Sequence, residues 1–361
     1  MKLFLCGDAM TGRGVDQILP APCDPALAEP WAKSALDYVA LAERRNGPIP
    51  RPVDFAYVWG DALEVLERER PQARIANLET AITRDGERAA KGIHYRMSPE
   101  NAGVLGAARL DCCVLANNHV LDWGAKGLAD TLATLERAGI ATAGAGRDRA
   151  EAEAPARIAL PGGGALRVYA FGHESAGVPP EWAAAPGRPG VSFLPELSAR
   201  AADTVARRIL AERAAGELAI VSIHWGPNWG YRVAREQRAF AHRLIDAGAA
   251  DLVHGHSSHH PGPIEIYRGH LILYSCGDFL NDYEGIGGYE AFRPELVLMH
   301  FPTLEVPGGR LRELVLVPMR IARMRLARAN GEQSAWLAQR LGATSGLALE
   351  RRSDSALCVA V

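Results

Sequence analysis

The sequence has no run of about 18 apolar residues, the length a bilayer-spanning helix needs. No membrane anchor is therefore predicted. Met1 to Leu5 is too short for the apolar stretch of a signal peptide, and the expected setting is cytoplasmic. The six cysteines (Cys6, Cys23, Cys112, Cys113, Cys276 and Cys358) form no CxxC pair. That excludes a zinc ribbon and a small disulfide scaffold, and predicts reduced thiols. Neither sign of charge dominates, because 40 Lys and Arg stand against 42 Asp and Glu. A net charge of −2 excludes a global polybasic surface for nucleic acid. The Arg-rich stretch from Met319 to Arg328 is a local exception and reads as a strand with a solvated edge. Repeats and low-complexity segments are missing too. Gly7 and Gly12 have the spacing of a phosphate-binding loop, but Arg13-Gly14 follows where Lys and Ser or Thr belong.

What is present is the alternation of an α/β protein. Short apolar runs predict strands at 2–6, 73–76, 112–116, 167–171, 218–224, 251–253, 271–274, 295–301 and 314–317. Helical patterns fall between many of them, at 60–70, 127–138, 197–213 and 236–247. The later strands have little helix between them, so part of the sheet is expected to be antiparallel or mixed. Residues 20–55, with a helical stretch from Trp31 to Arg45, read as an insertion after the first strand. A short helix is expected near 335–341.

Histidine is concentrated. Four of the eleven lie within Val253-His254-Gly255-His256-Ser257-Ser258-His259-His260. An apolar run precedes them and a Pro-Gly-Pro loop follows, which reads as imidazoles gathered at a strand's C-terminal end. Neutral imidazole is the usual ligand for Zn, Mn, Fe or Ni. Four other strand ends supply complementary groups. Asp8 follows the first strand, Asn77-Leu78-Glu79 the next, Asn117-Asn118-His119 a third with Asp122 beyond, and His224-Trp225-Gly226 a fourth. Taken alone, Asp8 reads as a helix cap or turn residue. Together the five ends repeat the ligand types of a mixed nitrogen and oxygen metal site. His254 and His260 read as loop residues or as supports for the ligands.

These residues carry a resemblance. LFLCGDAMTGRG, ANLETAIT, LANNHVLDWGAKGLADTLATLERAGIATAGAG, SIHWGPNWGY and VHGHSSHHPGPIEIYRGHLILYSCGDFLND resemble the CapA, or poly-γ-glutamate biosynthesis, family. That family looks like a branch of the calcineurin-like metallophosphoesterases. The resemblance implies a four-layer α/β/β/α sandwich over residues 1–320, with 321–361 as a C-terminal extension packed on it. It also implies one or two divalent metal ions. Asp8, Glu79, Asn118, His224, His256 and His259 match the ligands. His119 matches the histidine at the leaving group, oriented by Asp122. Arg13, Lys91 and Arg96 are candidates for holding an anionic substrate such as a polyglutamate. Two departures stand out. Met10 replaces a ligand histidine, and His256 and His259 are one residue further apart than usual.

The expected activity is hydrolysis of a phosphoester or a γ-glutamyl amide by metal-activated water. Two alternatives stay open. One is a non-catalytic protein that binds an acidic polymer. The other is a specialised-metabolite enzyme reusing the same metal site.

Overall fold

The computed structural model describes residues 1–160 and 164–359. The first half of the chain runs β1 (Leu3–Ala9), α1 (Ala35–Asn46), α2 (Ala62–Glu69), β2 (Ala73–Leu78), β3 (Cys112–Val114), α3 (Gly124–Arg137), β4 (Ala141–Ala143) and β5 (Ala165–His173). Then come α4 (Ala199–Glu212), β6 (Leu218–His224), α5 (Arg235–Asp246), β7 (Leu252–His256), β8 (Ile264–Tyr267), β9 (His270–Leu273) and β10 (Asp278–Leu280). The chain ends with β11 (Leu296–Leu304), β12 (Leu311–Ile321), α6 (Gly331–Ser345), β13 (Leu349–Arg351) and β14 (Leu357–Val359).

The strands form two large mixed sheets. The first has the order β13-β14-β12-β11-β1-β2-β3-β4, with β10 beside the end of β1. Here β1 to β4 are parallel and β11 and β12 antiparallel, as the spacing of the later strands predicts. The second contains β5-β6-β7-β9-β8, with the first four of these parallel.

Alternate side chains of each strand point to opposite faces. Leu3 and Leu5 of β1 join Ile75, Leu166, Ile220, Leu252 and Leu271 in one apolar layer contributed by both sheets. Phe4 and Cys6 face the other way, against Val39, Val65 and Leu128 of α1, α2 and α3. Val221 and Val253 pack on Phe240 and Leu244 of α5 and on Ile209 of α4. The helices have the spacing this requires, as with Leu128, Leu132 and Leu135 of α3. Their starts are capped. The Ser34 side chain accepts from the Leu36 amide at α1, and that of Ser198 from the Ala201 amide at α4.

The insertion folds back onto the core, with Tyr38, Val39 and Ala42 of α1 buried. At the other end Leu337 and Leu341 of α6 enter the layer between the sheets. Among the described residues, no helix is long and apolar enough to cross a membrane. All six cysteines are free thiols.

Candidate metal centre

At the C-terminal ends of β1, β2, β6 and β7 the layer between the sheets turns from apolar to polar. Pairing of parallel strands explains the match. Ser222 lies opposite His254 and His224 opposite His256, so two pairs share one face. The sequence places the end of this strand at Val253, whereas β7 continues through His256. His254 and His256 are therefore strand residues on the face of Leu252. Gly255 between them has no room for a side chain, since a Cβ would lie 2.3 Å from the Tyr274 carbonyl oxygen.

On β1, simple alternation would send Asp8 outward with Phe4 and Cys6. The register against β2 slips between Cys6 and Asp8, so Asp8 pairs with Asn77 and turns to the polar layer. This is what a β-bulge does to a side chain. Gly7, the extra residue, packs where a Cβ would meet the Gly277 carbonyl oxygen at 1.8 Å. On its other side Asp8 pairs with Asp278 of β10.

The result is a buried cluster. Among the described residues, Asp8, His224 and His256 each offer a ligand atom, and these atoms lie within 4.8 Å of one another. His224 Nδ1 is 2.8 Å from His256 Nδ1, and His256 Nδ1 is 3.9 Å from Asp8 Oδ1. Glu79 Oε1 lies 4.0 Å from His224 Nε2 and 3.8 Å from His119 Nε2. Asn118 Oδ1 is 3.1 Å from His224 Nε2. His259 takes a different place, because its Nδ1 lies 2.9 Å from Asp278 Oδ1. Ser257, at φ 120°, makes the turn that carries the chain there.

The electrostatics are unbalanced. Burial and the nearby Asp278 charge raise the pKa of Asp8, partly offset by the amide of Asn77. Burial and the Asp8 charge raise that of Glu79. Burial also holds His224 and His256 well below the usual imidazole range, so both are neutral near pH 7. Asn77 Nδ2 donates to Asp8 Oδ1 at 2.7 Å and to Glu79 Oε2 at 3.2 Å. Among the described residues, Asp8 Oδ2 is buried with no partner. Crowded carboxylates, neutral imidazoles and an orphaned oxygen fit a divalent cation.

His119 stands beside this cluster. Its Nδ1 lies 2.7 Å from Asp122 Oδ2, and Lys91 Nζ donates to Asp122 Oδ1 at 2.8 Å. Burial opposes ionisation of Asp122, but His119 and Lys91 outweigh it and keep the carboxyl below its ordinary range. An ionised Asp122 only accepts, so His119 carries its hydrogen on Nδ1. Its Nε2 lone pair then faces Glu79. Burial pushes the ring to about 4, so it is neutral at pH 7.

The three basic residues expected at a substrate separate. Lys91 reaches the site through Asp122. Arg13 does not present its guanidinium to a ligand. Nε and Nη2 donate to Asp282 at 2.8 and 2.6 Å, and Nη1 to Glu29 at 3.0 Å and Tyr38 Oη at 2.7 Å. Arg96 lies 3.9 Å over the Trp123 ring and donates to the Asp24 and Arg84 carbonyls. Both guanidiniums are thus engaged by the protein's own groups. In each case partners remote in sequence engage the guanidinium.

Residues outside the expected ligand set also meet at the site. Asn77 bridges two carboxylates, Asp278 pairs with His259, and Ser222 Oγ lies 2.9 Å from His256 Nε2. Tyr95 Oη donates to Tyr283 Oη at 2.8 Å, and the Tyr283 ring lies 5.1 Å from that of His259. Tyr283 also lines a cavity of about 540 Å³, whose charged lining is Arg45, Arg293 and Arg320 with Glu284, Glu290 and Glu295. Strand ends signal the first group. Nothing in the sequence signals the cavity.

Residues 2–283 match the family described as Bacterial capsule synthesis protein PGA_cap. The chain belongs to that family. It is 49% identical, over 99% of its length and 95% of the relative's, to a Mycobacterium tuberculosis protein named "Probable polyglutamine synthesis accessory protein". It is 29% identical to the "PGA biosynthesis protein CapA" of Bacillus subtilis, over 57% of this chain and 52% of that one. A crystal structure of a hypothetical protein from Thermus thermophilus aligns with 89% of this chain and 99% of its own, at 19% identity and a TM-score of 0.46. That last likeness is too loose to argue from.

Proposed function

We propose that this capsule-synthesis-family protein is a metal-dependent hydrolase acting on a phosphoester or a γ-glutamyl amide. Its scaffold would be a four-layer α/β/β/α sandwich of metallophosphoesterase type. Support comes from the apolar layer shared by two sheets and the helices packed on their outer faces. The observation that carries the reading is the convergence of Asp8, His224 and His256 within 4.8 Å in a buried, carboxylate-rich cluster.

Asp8, His224 and His256, with Glu79 and Asn118 beside them, would hold one divalent ion or two. The mixed donor set suits Mn, Fe, Zn or Ni. The metal would supply Lewis acidity and a water of lowered pKa. Met10 leaves one ligand position without an imidazole, and His259 with Asp278 flanks the cluster. His119 takes up a proton at Nε2, and Asp122 stabilises the imidazolium that forms. Lys91 fixes Asp122 from the far side. Burial of the cluster strengthens each of these interactions.

An anionic chain such as a polyglutamate would lie in the cavity next to Tyr283, drawn by its arginines and kept from its three glutamates. Among the described residues Arg45 and Arg320 make no salt bridge there. The six free thiols accord with a cytoplasmic setting.

The test is turnover by metal-loaded protein on aryl phosphates and on γ-glutamyl peptides. Activity with one class, lost in His119→Ala at unchanged metal content, is expected. The relatives' naming as accessory proteins favours a second reading, a non-catalytic binder of acidic polymer. That reading predicts stoichiometric polymer binding, no turnover with any metal, and no effect of His119→Ala.

A further inference from the structure

His254 belongs to the histidine cluster yet is not among the ligands. It is fully buried, two residues before His256 on the same face of β7. Its Nε2 lies 3.0 Å from the Cys6 carbonyl oxygen, on β1 of the opposite sheet. A carbonyl oxygen only accepts, so Nε2 carries the hydrogen. Both ring nitrogens lie against uncharged groups, the Cys6 carbonyl and the Ser222 hydroxyl, so the buried ring is a neutral imidazole with one hydrogen. Its Nδ1 therefore bears a lone pair.

That lone pair faces Ser222 Oγ at 3.0 Å. The hydroxyl hydrogen must point to it. With its one hydrogen used, Ser222 Oγ can only accept at its other contact, His256 Nε2 at 2.9 Å. His256 then carries its hydrogen on Nε2. Its Nδ1 lone pair points at His224 Nδ1, 2.8 Å away, and towards Asp8.

We propose that the Cys6 carbonyl, His254 and Ser222 form a relay that sets the tautomer of His256 and commits its Nδ1 to the metal. The proposal rests on the metal reading above. His254 and Ser222 are positioning residues, and the backbone of one sheet orients a ligand on the other. The relay explains why a polar imidazole sits within the apolar layer shared by the two sheets. By the same rule His224, whose Nε2 lies 3.1 Å from the Asn118 Oδ1 acceptor, carries its hydrogen there, so its Nδ1 lone pair and that of His256 face each other as two ligand atoms would.

Long-range proton–nitrogen NMR of histidine-labelled protein reads the tautomers directly. In metal-free protein, His254 and His256 should both show hydrogen on Nε2. On adding zinc, the Nδ1 resonance of His256 should shift while Nε2 keeps its hydrogen. Ser222→Ala should give His256 mixed tautomers and weaken zinc binding by about 10- to 100-fold, as loss of a ligand's supporting hydrogen bond typically does. Ser222→Thr should restore both. His254→Gln keeps a donor for Cys6 and an acceptor for Ser222, and should stay close to the parent. His254→Leu should resemble Ser222→Ala.

Hydrogen on Nδ1 of His256 in the metal-free protein would overturn the relay. So would parental zinc affinity in a folded Ser222→Ala variant. A parent that binds no zinc would overturn the metal reading and the commitment of His256 to it. The metal-free spectrum would still report whether the relay exists.

Discussion

Two buried polar clusters in this molecule make an instructive pair. Around Arg13, one guanidinium meets Asp282 and Glu29, with side chains 1% exposed in both pairs. Each of those carboxylate oxygens accepts a hydrogen bond from Arg13, Tyr38 or the Gly14 amide. Around Asp8, two carboxylates and two neutral imidazoles gather without, among the described residues, a basic side chain between them or a partner for Asp8 Oδ2. Both clusters carry the desolvation cost of buried charge. Only the first offsets it internally. A buried polar cluster that closes on itself is architecture, whereas one that leaves acceptors open is suited to taking a ligand.

The largest expected effect comes from breaking the closed cluster. Arg13→Ala leaves two buried carboxylates unpaired and should destabilise by about 3–5 kcal/mol in urea denaturation. Arg13→Lys cannot reproduce the two-pronged contact with Asp282 and should recover only part of this. Neither change removes a donor from the open cluster, so metal content per folded protein should stay parental. Loss of metal in folded Arg13→Lys would show that the two clusters are one unit.

The open cluster should respond in the opposite sense. A divalent metal at 100 times its dissociation constant should add about 2.7 kcal/mol, reversed by chelator. Asp8→Asn should abolish that gain. The metal-free variant should nevertheless be at least as stable as its parent, because the amide removes a like charge from Glu79 and Asp278. A metal-free Asp8→Asn protein much weaker than the parent would mean that Asp8 is structural.

The pH dependence of the metal-free protein sharpens this. Asp8 and Glu79 have raised pKa values, so the folded state holds their protons more tightly than the unfolded chain. Stability is then lost as pH rises through the folded values and regained on acidification. Burial lowers His259 and Asp278 raises it, with Asp278 prevailing, so the pair acts in the same direction. Below about pH 6.5 the unfolded imidazoles protonate. His119, His224, His254 and His256, all lowered by burial, then oppose folding. Metal-free stability should therefore rise from about pH 7.5 to about 6.5, by at most about 1.4 kcal/mol per pH unit for each proton taken up. It should then fall. Asp8→Asn should flatten the first limb, read by urea midpoints across pH.

How much was legible beforehand divides along the same line. The open cluster is assembled from strand ends, and apolar runs in a sequence mark strand ends well. Asp8, Glu79, Asn118, His224 and His256 were thus visible as residues, although the bulge that turns Asp8 inward was not. The closed cluster was hidden, since Arg13 meets Glu29 across 16 residues and Asp282 across 269. No local pattern encodes such a pairing, so Arg13 read as a free cation. The contacts of His254, which reads from the sequence as a loop residue or a support for the ligands, were hidden for a related reason. Its partners, Cys6 and Ser222, lie on strands whose sequence neighbours are apolar; the register of β7 against β6 brings Ser222 to it, and the packing of the two sheets brings the Cys6 carbonyl.

The smallest expected effect concerns the cavity beside Tyr283, where the comparison takes a third form. Arg293 is closed, bonded to Glu295 at 2.9 Å. Among the described residues, the Arg320 side chain donates to a neutral amide, Asn46, at 2.9 Å and makes no salt bridge. By the same logic Arg320 is the open group and Arg293 the architectural one. Arg320→Ala should alter stability by no more than about 0.5 kcal/mol, because it removes no buried ion pair. It should weaken binding of a γ-linked glutamate oligomer severalfold and lower the salt dependence of that binding. Arg293→Ala should leave oligomer binding near the parental value. Fluorescence titration at two salt concentrations measures both variants. Equal losses in the two would mean that overall charge, rather than an open guanidinium, governs what the cavity holds.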